Sequence, residues 1–364
     1  MSKILLISDR SPHTGIGNYS FYLVKHLKES LHEDLDFINL STVAEDSHGG
    51  LLSVSSQKIK RILDHFLYLR KIPLGYELYH LLNPNLGVLA TKYRPMVVTI
   101  HDLYPFTAMA TRDLVVGSIG LDLPTLTAMK FNMNFAKQAD RFIAVSEYTK
   151  KEAVSLFHIE ASKIHVVYLG VDQSLFHSRD KRRARQRLNL PLNRKIVLHV
   201  GVDEPRKNIA TLIEAFYKVK KSLPDALLVR IGGMRSATQR LISSLGLEDS
   251  LIYYPKVSDI ALFYNASDVL AFPSYYEGFG LPVLEAMASG LPVVAGNCTS
   301  IPEIAGDAGL LFSPFDVATF SDFICHMLLD EGERQKMIAN GIERSLRFDW
   351  EVCSAQTLEV YKTF

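Results

Sequence analysis

Short unbroken apolar runs alternate along the chain with longer stretches whose apolar residues recur at helical spacing. The runs Ile4–Ser8, Phe37–Leu40, Leu78–Leu82, Met96–His101, Arg141–Ser146 and Ile164–Tyr168 predict one series of strands. A second series is predicted at Ile196–Val200, Ala226–Ile231, Leu251–Tyr254, Val269–Pro273, Pro292–Ala295 and Leu310–Phe312. The runs do not alternate with polar residues, so each strand should be covered on both faces, as in a parallel sheet flanked by helices. Segments such as Asn208–Ser222 and Met234–Leu245 have the period of the covering helices. Strand and helix in alternation predict an α/β protein, and the double series predicts two doubly wound, Rossmann-like domains.

The break between the series falls after Gly170-Val171-Asp172, in a polar, basic stretch from Ser178 to Lys195. Read as a short helix followed by a hinge, it sets a first domain at 1–190 and a second at 191–347. The remaining 348–364 carries the only tryptophan, Trp350, on a closing helix that either crosses back over the hinge or finishes the second domain. A chain of 364 residues with 48% hydrophobic and 22% charged residues suits two globular domains. Its net charge of +1 offers no overall field for nucleic acid. Cys298, Cys325 and Cys353 are odd in number and widely spaced, which fits a reducing cytoplasm better than a disulfide framework or a zinc site. The apolar run Ile4-Leu5-Leu6-Ile7 is too short for a signal-peptide core, and nothing approaches the ~20 residues of a membrane span. The expected location is cytoplasmic, with peripheral contact at the inner membrane face left open.

One segment concentrates the chemistry: Tyr275-Tyr276-Glu277-Gly278-Phe279-Gly280-Leu281-Pro282-Val283-Leu284-Glu285, continuing to Ala295. A strand should end at Pro273-Ser274, and Pro282 can begin a helix because the first turn needs no N–H from it. Gly278 and Gly280 allow close approach of the backbone, and free N–H groups at the helix start make an anion site suited to diphosphate. Glu277 and Glu285 bracket that site. An acid beside phosphate repels it, so the two should face hydroxyls, such as those of a ribose and a sugar. A glycine-punctuated loop with two solvated acids is the plainer alternative.

This segment resembles the retaining GT-B glycosyltransferases of glycosyltransferase family 4. Glu277 and Glu285 match that family's pair of glutamates separated by seven residues, with its glycines and the following Ala-x-x-Ser-Gly-x-Pro-Val-Val-Ala. The resemblance implies a GT-B fold with the donor between facing domains. It places Gly278, Phe279, Gly280 and Leu281 on the donor, Glu277 by the sugar and Glu285 on the ribose. Gly201-Val202-Asp203-Glu204-Pro205-Arg206-Lys207-Asn208 is similar to the family's loop whose basic pair, here Arg206 and Lys207, neutralises the diphosphate. Many relatives carry an arginine directly after the glycine, where this chain has Val202. His101-Asp102, at the end of a predicted strand, resembles the family's pair whose histidine meets the sugar; Asp102 either orients the imidazole or holds the turn.

The loop Ser11–Tyr19 lacks the third glycine of the dinucleotide fingerprint. The resemblance sets Gly15 and Gly17 against the diphosphate and acceptor, while a tight turn feeding the next helix is the rival reading. Lys256 and Val257 lie where the family's backbone reads the base. Asp34-Leu35-Asp36 is expected to be solvated, away from the donor, and no metal is required. Lys181–Arg187 is expected to be a solvated basic helix face. Residues 57–72 form a basic amphipathic pattern, which packs on its own sheet or lies on an anionic membrane.

The resemblance thus implies a retaining transferase moving a hexose from a nucleoside diphosphate sugar to a glycan or lipid-linked hydroxyl. Mannose from GDP-mannose is the leaning, and a UDP-sugar is the other donor. A GT-B epimerase or phosphorylase and a non-catalytic sugar-nucleotide binder are the alternatives.

Overall fold

A computed structural model of the chain describes residues 3–11, 14–40, 72–110 and 123–364. The chain divides into two compact units, Met1–Gly170 with Trp350–Phe364, and Val171–Asp349. The amphipathic segment 57–72 lies outside the described residues except for Ile72, which is buried.

The first unit follows the predicted alternation. Its elements are β1 (Ile4–Ser8), α1 (Gly15–Leu31), β2 (Leu35–Asn39), β3 (Leu78–Leu81), β4 (Met96–Ile100) and α2 (Tyr104–Ala110). They continue with α3 (Leu123–Ala136), β5 (Arg141–Ala144), α4 (Glu147–Phe157) and β6 (Ile164–Val166). The six strands form one parallel sheet in the order β2-β1-β3-β4-β5-β6, with Leu6 in register with Phe37 on one side and His80 on the other. Strands β1, β3 and β4 are buried along their whole length, which is why their sequences are mostly apolar, with Ser8, His80 and Thr99 as the buried polar exceptions. The segment Gly15–Tyr19 is the first turn of α1 and not an open loop: Thr14 caps it by accepting from the Gly17 N–H, and Tyr19, Leu23 and Leu27 bury one face. Asp36 lies within edge strand β2, where it accepts from the Tyr76 hydroxyl at 2.5 Å.

The second unit opens with α5 (Lys181–Arg187) and continues β7 (Ile196–Val200), α6 (Ile209–Ser222), β8 (Leu227–Ile231), α7 (Ser236–Ser244), β9 (Leu251–Tyr254) and α8 (Ile260–Ala266). Then come β10 (Val269–Phe272), α9 (Leu281–Ala288), β11 (Val293–Gly296), α10 (Ile301–Ala305), β12 (Leu310–Phe312), α11 (Val317–Leu329) and α12 (Glu331–Ser345). Its parallel sheet runs β12-β11-β10-β7-β8-β9. A core built on Val197, Leu228, Ala271 and Val294 packs against Ile213, Phe216 and Phe320 of the covering helices.

Helix α5 keeps Arg182, Arg183 and Arg187 exposed, as expected of a solvated basic face, and departs from that expectation at Arg185. Arg185 is buried, and its guanidinium meets Asp268 at 2.7 Å and four carbonyls, those of Ala266, Pro191, Leu192 and Arg194. Lys181 reaches the same carboxylate at 2.8 Å. The helix is amphipathic through a charge that finds a buried acid, a pattern that apolar periodicity does not register.

The closing helix α13 (Trp350–Tyr361) belongs to the first unit. Trp350 stacks on Tyr22 with ring centroids 5.0 Å apart. At its other end the Tyr361 hydroxyl lies 2.6 Å from His80 Nδ1, and His80 Nε2 lies 2.8 Å from the Thr99 hydroxyl. Among the described residues no helix is long and apolar enough to cross a membrane.

Candidate functional site

Among the described residues each sheet reverses its strand order once, between β1 and β3 in the first unit and between β7 and β10 in the second. At such a reversal the loops leaving neighbouring strand ends diverge and open a crevice, the usual ligand position in doubly wound folds. The two crevices are edged by 9–11 with 82–85, and by 201–208 with 273–280.

In the second unit that crevice gathers the residues singled out from sequence. Gly201 ends β7 at φ +153°, and a single helical turn, Pro205–Lys207, delivers Arg206 and Lys207. Asn208 fixes this loop to the neighbouring one by donating to the carbonyls of Pro273 (3.3 Å) and Pro314 (2.6 Å). The Tyr275 N–H closes the link onto the Arg206 carbonyl. Glu277, buried, receives Lys207 Nζ at 2.5 Å on one oxygen and Arg206 Nη1 at 3.1 Å on the other. Burial works to raise the Glu277 carboxyl; Lys207 and then Arg206 outweigh it and hold the group below the usual carboxylate range. The sequence reading gave the acid to a sugar hydroxyl and the cations to diphosphate; the structure joins all three in one triad. Arg206 also meets Glu204 at 2.9 Å, so these two cations face two carboxylates.

Beyond Glu277 the backbone is held from below. Thr299 accepts the Glu277 N–H at 3.0 Å, and the Ser300 hydroxyl donates to the carbonyls of Glu277 and Phe279. The Phe279 side chain is buried edge-on to Phe348, so what this residue offers a ligand is backbone. Gly280 caps α9 at φ +108°, and a Cβ there would come within 2.7 Å of Ile301. That conformation and that fit require glycine. Leu281 and Pro282 then start α9, turning its first N–H groups toward the loop end. One turn on, Glu285 accepts from the Tyr264 hydroxyl at 2.7 Å. Burial raises its carboxyl to about 7, with the Tyr264 bond acting the other way.

In the first unit His101 follows β4 and lines a pocket with Arg10, Ile16, Asn83, Asp102 and Phe106. Its Nε2 lies 2.9 Å from the Leu82 carbonyl, which can only accept, so Nε2 carries the proton and Nδ1 is left as an acceptor. Burial lowers its pKa to about 4, so the ring is neutral at neutral pH. Asp102 accepts the Tyr104 N–H at 3.4 Å and so holds the turn into α2. Gly17 is buried with its N–H engaged by Thr14, while Gly15 is exposed at the start of α1. Lys256 and Val257 lie in the loop after edge strand β9, two strands from β7, and are not gathered into the Glu277 cluster.

Three residues of the second unit escaped sequence reading. Tyr264 looks like any core aromatic. Arg230 and His199, wholly buried, stand opposite one another on β8 and β7. Arg230 donates to the Gly232 carbonyl at 2.9 Å, while its Nε and both nitrogens of His199 have no hydrogen-bond partner among the described residues. The available signal was a charge inside the apolar run Leu227–Ile231, a position that a sheet covered on both faces leaves no route to water.

Comparison with known proteins places this arrangement. The family model described as Glycosyltransferase Family 4 matches residues 14–175, and that of Glycosyl transferases group 1 matches 180–344. The chain is 30% identical over 410 aligned positions to O-antigen chain mannosyltransferase B of Escherichia coli, covering 99% of each. Among solved structures, sucrose-phosphate synthase from Thermosynechococcus elongatus superposes with a TM-score of 0.79 at 24% identity, over 100% of this chain and 99% of that one. HepE of Anabaena, in complex with UDP and glucose, does so at 0.76 and 20%, over 100% of both. The shared architecture is the two-domain GT-B fold.

Proposed function

Because the chain belongs to glycosyltransferase family 4, among the group 1 glycosyl transferases, and is therefore a transferase enzyme, we propose that it moves a hexose from a nucleoside diphosphate sugar to an acceptor hydroxyl with retention at the anomeric carbon. The observation that carries this reading is the convergence of Arg206, Lys207 and Glu277 with the Gly280-capped start of α9 at the switch point of the second unit.

In this reading the amides of Gly278–Leu281 and the Arg206–Lys207 pair take the charge that builds on the diphosphate as its bond to the sugar breaks. Fixed charge of this kind stabilises the transition state more than the ground state. Glu277 holds both cations in place and turns its remaining acceptor capacity to the sugar. Glu285 accepts from the ribose. His101, neutral with Nδ1 as acceptor, receives a hydroxyl of the transferred sugar, and Gly15 and Gly17 line the diphosphate and acceptor side. Lys256 and Val257 offer their backbone to the base. The acceptor oxygen bonds to the anomeric carbon on the face from which the phosphate oxygen leaves, and its proton passes to that phosphate oxygen. No side-chain nucleophile and no metal is assigned.

The E. coli relative is an O-antigen chain mannosyltransferase, which supports mannose from GDP-mannose and a glycan or lipid-linked acceptor. HepE binds UDP, which keeps a UDP-sugar as the second donor. The test is incubation with a panel of nucleoside diphosphate sugars and mannose-terminated acceptors. Release of one nucleoside diphosphate per sugar transferred, with GDP-mannose preferred, is the expected result. Sugar-nucleotide binding without release would make the chain a binder, and conversion of the donor without an acceptor would make it an epimerase.

A further inference from the structure

Glu277 and Glu285 occupy contrasting surroundings. Two cations hold Glu277, whereas Glu285 is bonded by a neutral phenol alone: Tyr264 donates to its Oε2 at 2.7 Å, and Oε1 has no hydrogen-bond partner among the described residues. The phenol is rigidly delivered. Tyr264 is 1% exposed and packs edge-on to Phe176 at 5.9 Å. Helix α8, which carries it, is capped by Asp259 and pinned by Asn265, whose amide donates to the carbonyls of His177 and Ala261 and accepts the Arg179 N–H. A tyrosine this constrained fixes the rotation of the carboxylate it bonds, and so decides which oxygen faces the ligand.

We propose that Tyr264 is a positioning residue for the donor: it anchors Oε2 of Glu285 and leaves Oε1 free to accept from a ribose hydroxyl. The inference rests on the reading of Glu285 as the ribose carboxylate and extends it to the group that aims it. Burial lifts the Glu285 carboxyl to about 7 and the phenol opposes that lift. Ribose capture by the ionised form should therefore strengthen as pH rises through that value, and losing the phenol should move the rise to higher pH.

The experiment measures dissociation constants of GDP and UDP from about pH 5.5 to about pH 9 for the wild type, Tyr264→Phe and Glu285→Gln, with 2′,3′-dideoxy analogues in parallel. The analogues keep the phosphates and lose the hydroxyls, so phosphate ionisation cancels in the comparison. Tyr264→Phe should bind the ribonucleotide about tenfold more weakly near neutrality, a charged hydrogen bond's worth. The deficit should shrink at alkaline pH and vanish with the dideoxy analogue. Wild-type affinity in Tyr264→Phe, or a loss equal at every pH and for both nucleotides, overturns the inference. Weakened Glu285→Gln beside normal Tyr264→Phe removes Tyr264 alone. Unchanged Glu285→Gln removes the ribose reading and the inference with it, while transfer activity in the wild type tests the enzyme reading separately.

Discussion

At the scale of single residues, the Arg206–Glu277–Lys207 triad makes a double prediction. Lys207 and Glu277 are both nearly enclosed, with side chains 9% and 8% exposed. Lys207→Ala removes one of the two cations that hold Glu277 and one of those assigned to the leaving diphosphate. Turnover should fall by two orders of magnitude or so, as for loss of an oxyanion donor, and the midpoint of thermal unfolding should drop as well. Wild-type turnover in a folded variant rejects the catalytic assignment. Glu277→Gln should reduce transfer more than affinity for free nucleoside diphosphate, measured by calorimetry beside initial rates; equal losses would make it a nucleotide ligand. Each member of this triad was readable from its motif, but the pairing was not. It spans 70 positions and exists only because β7 lies beside β10, a neighbour relation that no local pattern encodes. Arg230 and Tyr264 were hidden for a related reason: their partners are backbone carbonyls and one distant carboxylate, which leave no spacing to read.

At the scale of elements, most strands were legible because burial writes them as short, mainly apolar runs without alternation. Their ends were less so. The run Arg141–Ser146 yields a strand only to Ala144, since Ser146 is spent capping α4, where it accepts the Thr149 N–H. Strand β2 starts two residues before its predicted place because an edge strand tolerates Asp36. Helix α5 shows the converse failure, a basic run whose central arginine is interior. Asp268→Ala would leave Arg185 buried without its acid and remove the acceptor of the Ile196 N–H. A loss of about 3–5 kcal/mol is expected in urea unfolding. Burial acts to raise Asp268, but Lys181 leads the groups that hold it below its ordinary value. The pair's contribution is therefore present above the unfolded aspartate pKa and is lost as pH falls through the folded one. A variant within about 0.5 kcal/mol of wild type would show that the pair adds nothing.

At the scale of the whole molecule, the alternation and the double series were foreseeable from sequence, whereas the strand order that sets the switch points was not. The sequence left open where residues 350–364 go, because a helix with one aromatic face fits many surfaces. They go to the first unit, where His80 joins α13 to β3 and β4 through Tyr361 and Thr99. Burial, followed by His101, brings the His80 pKa down to about 3. As pH falls below the ordinary histidine value of about 6.5, the unfolded chain takes up a proton that the folded one refuses. Stability should thus decline from about pH 6.5 downward, by about 2 kcal/mol at pH 5 from this group. Unfolding followed by fluorescence of Trp350 checks this, and His80→Gln should flatten the decline; an unchanged slope in that variant would show that other groups cause it.

The course of the chain has a further consequence for how the protein is made. Residues 171–349 are inserted within the first unit, between its last strand and its closing helix. The ribosome therefore delivers every residue of the second unit before the first receives Trp350. A nascent chain halted at Asp349 would hold all of the second unit, while the first still lacked the ring that stacks on Tyr22 and the hydroxyl that engages His80. The domain begun first in synthesis is the one completed last.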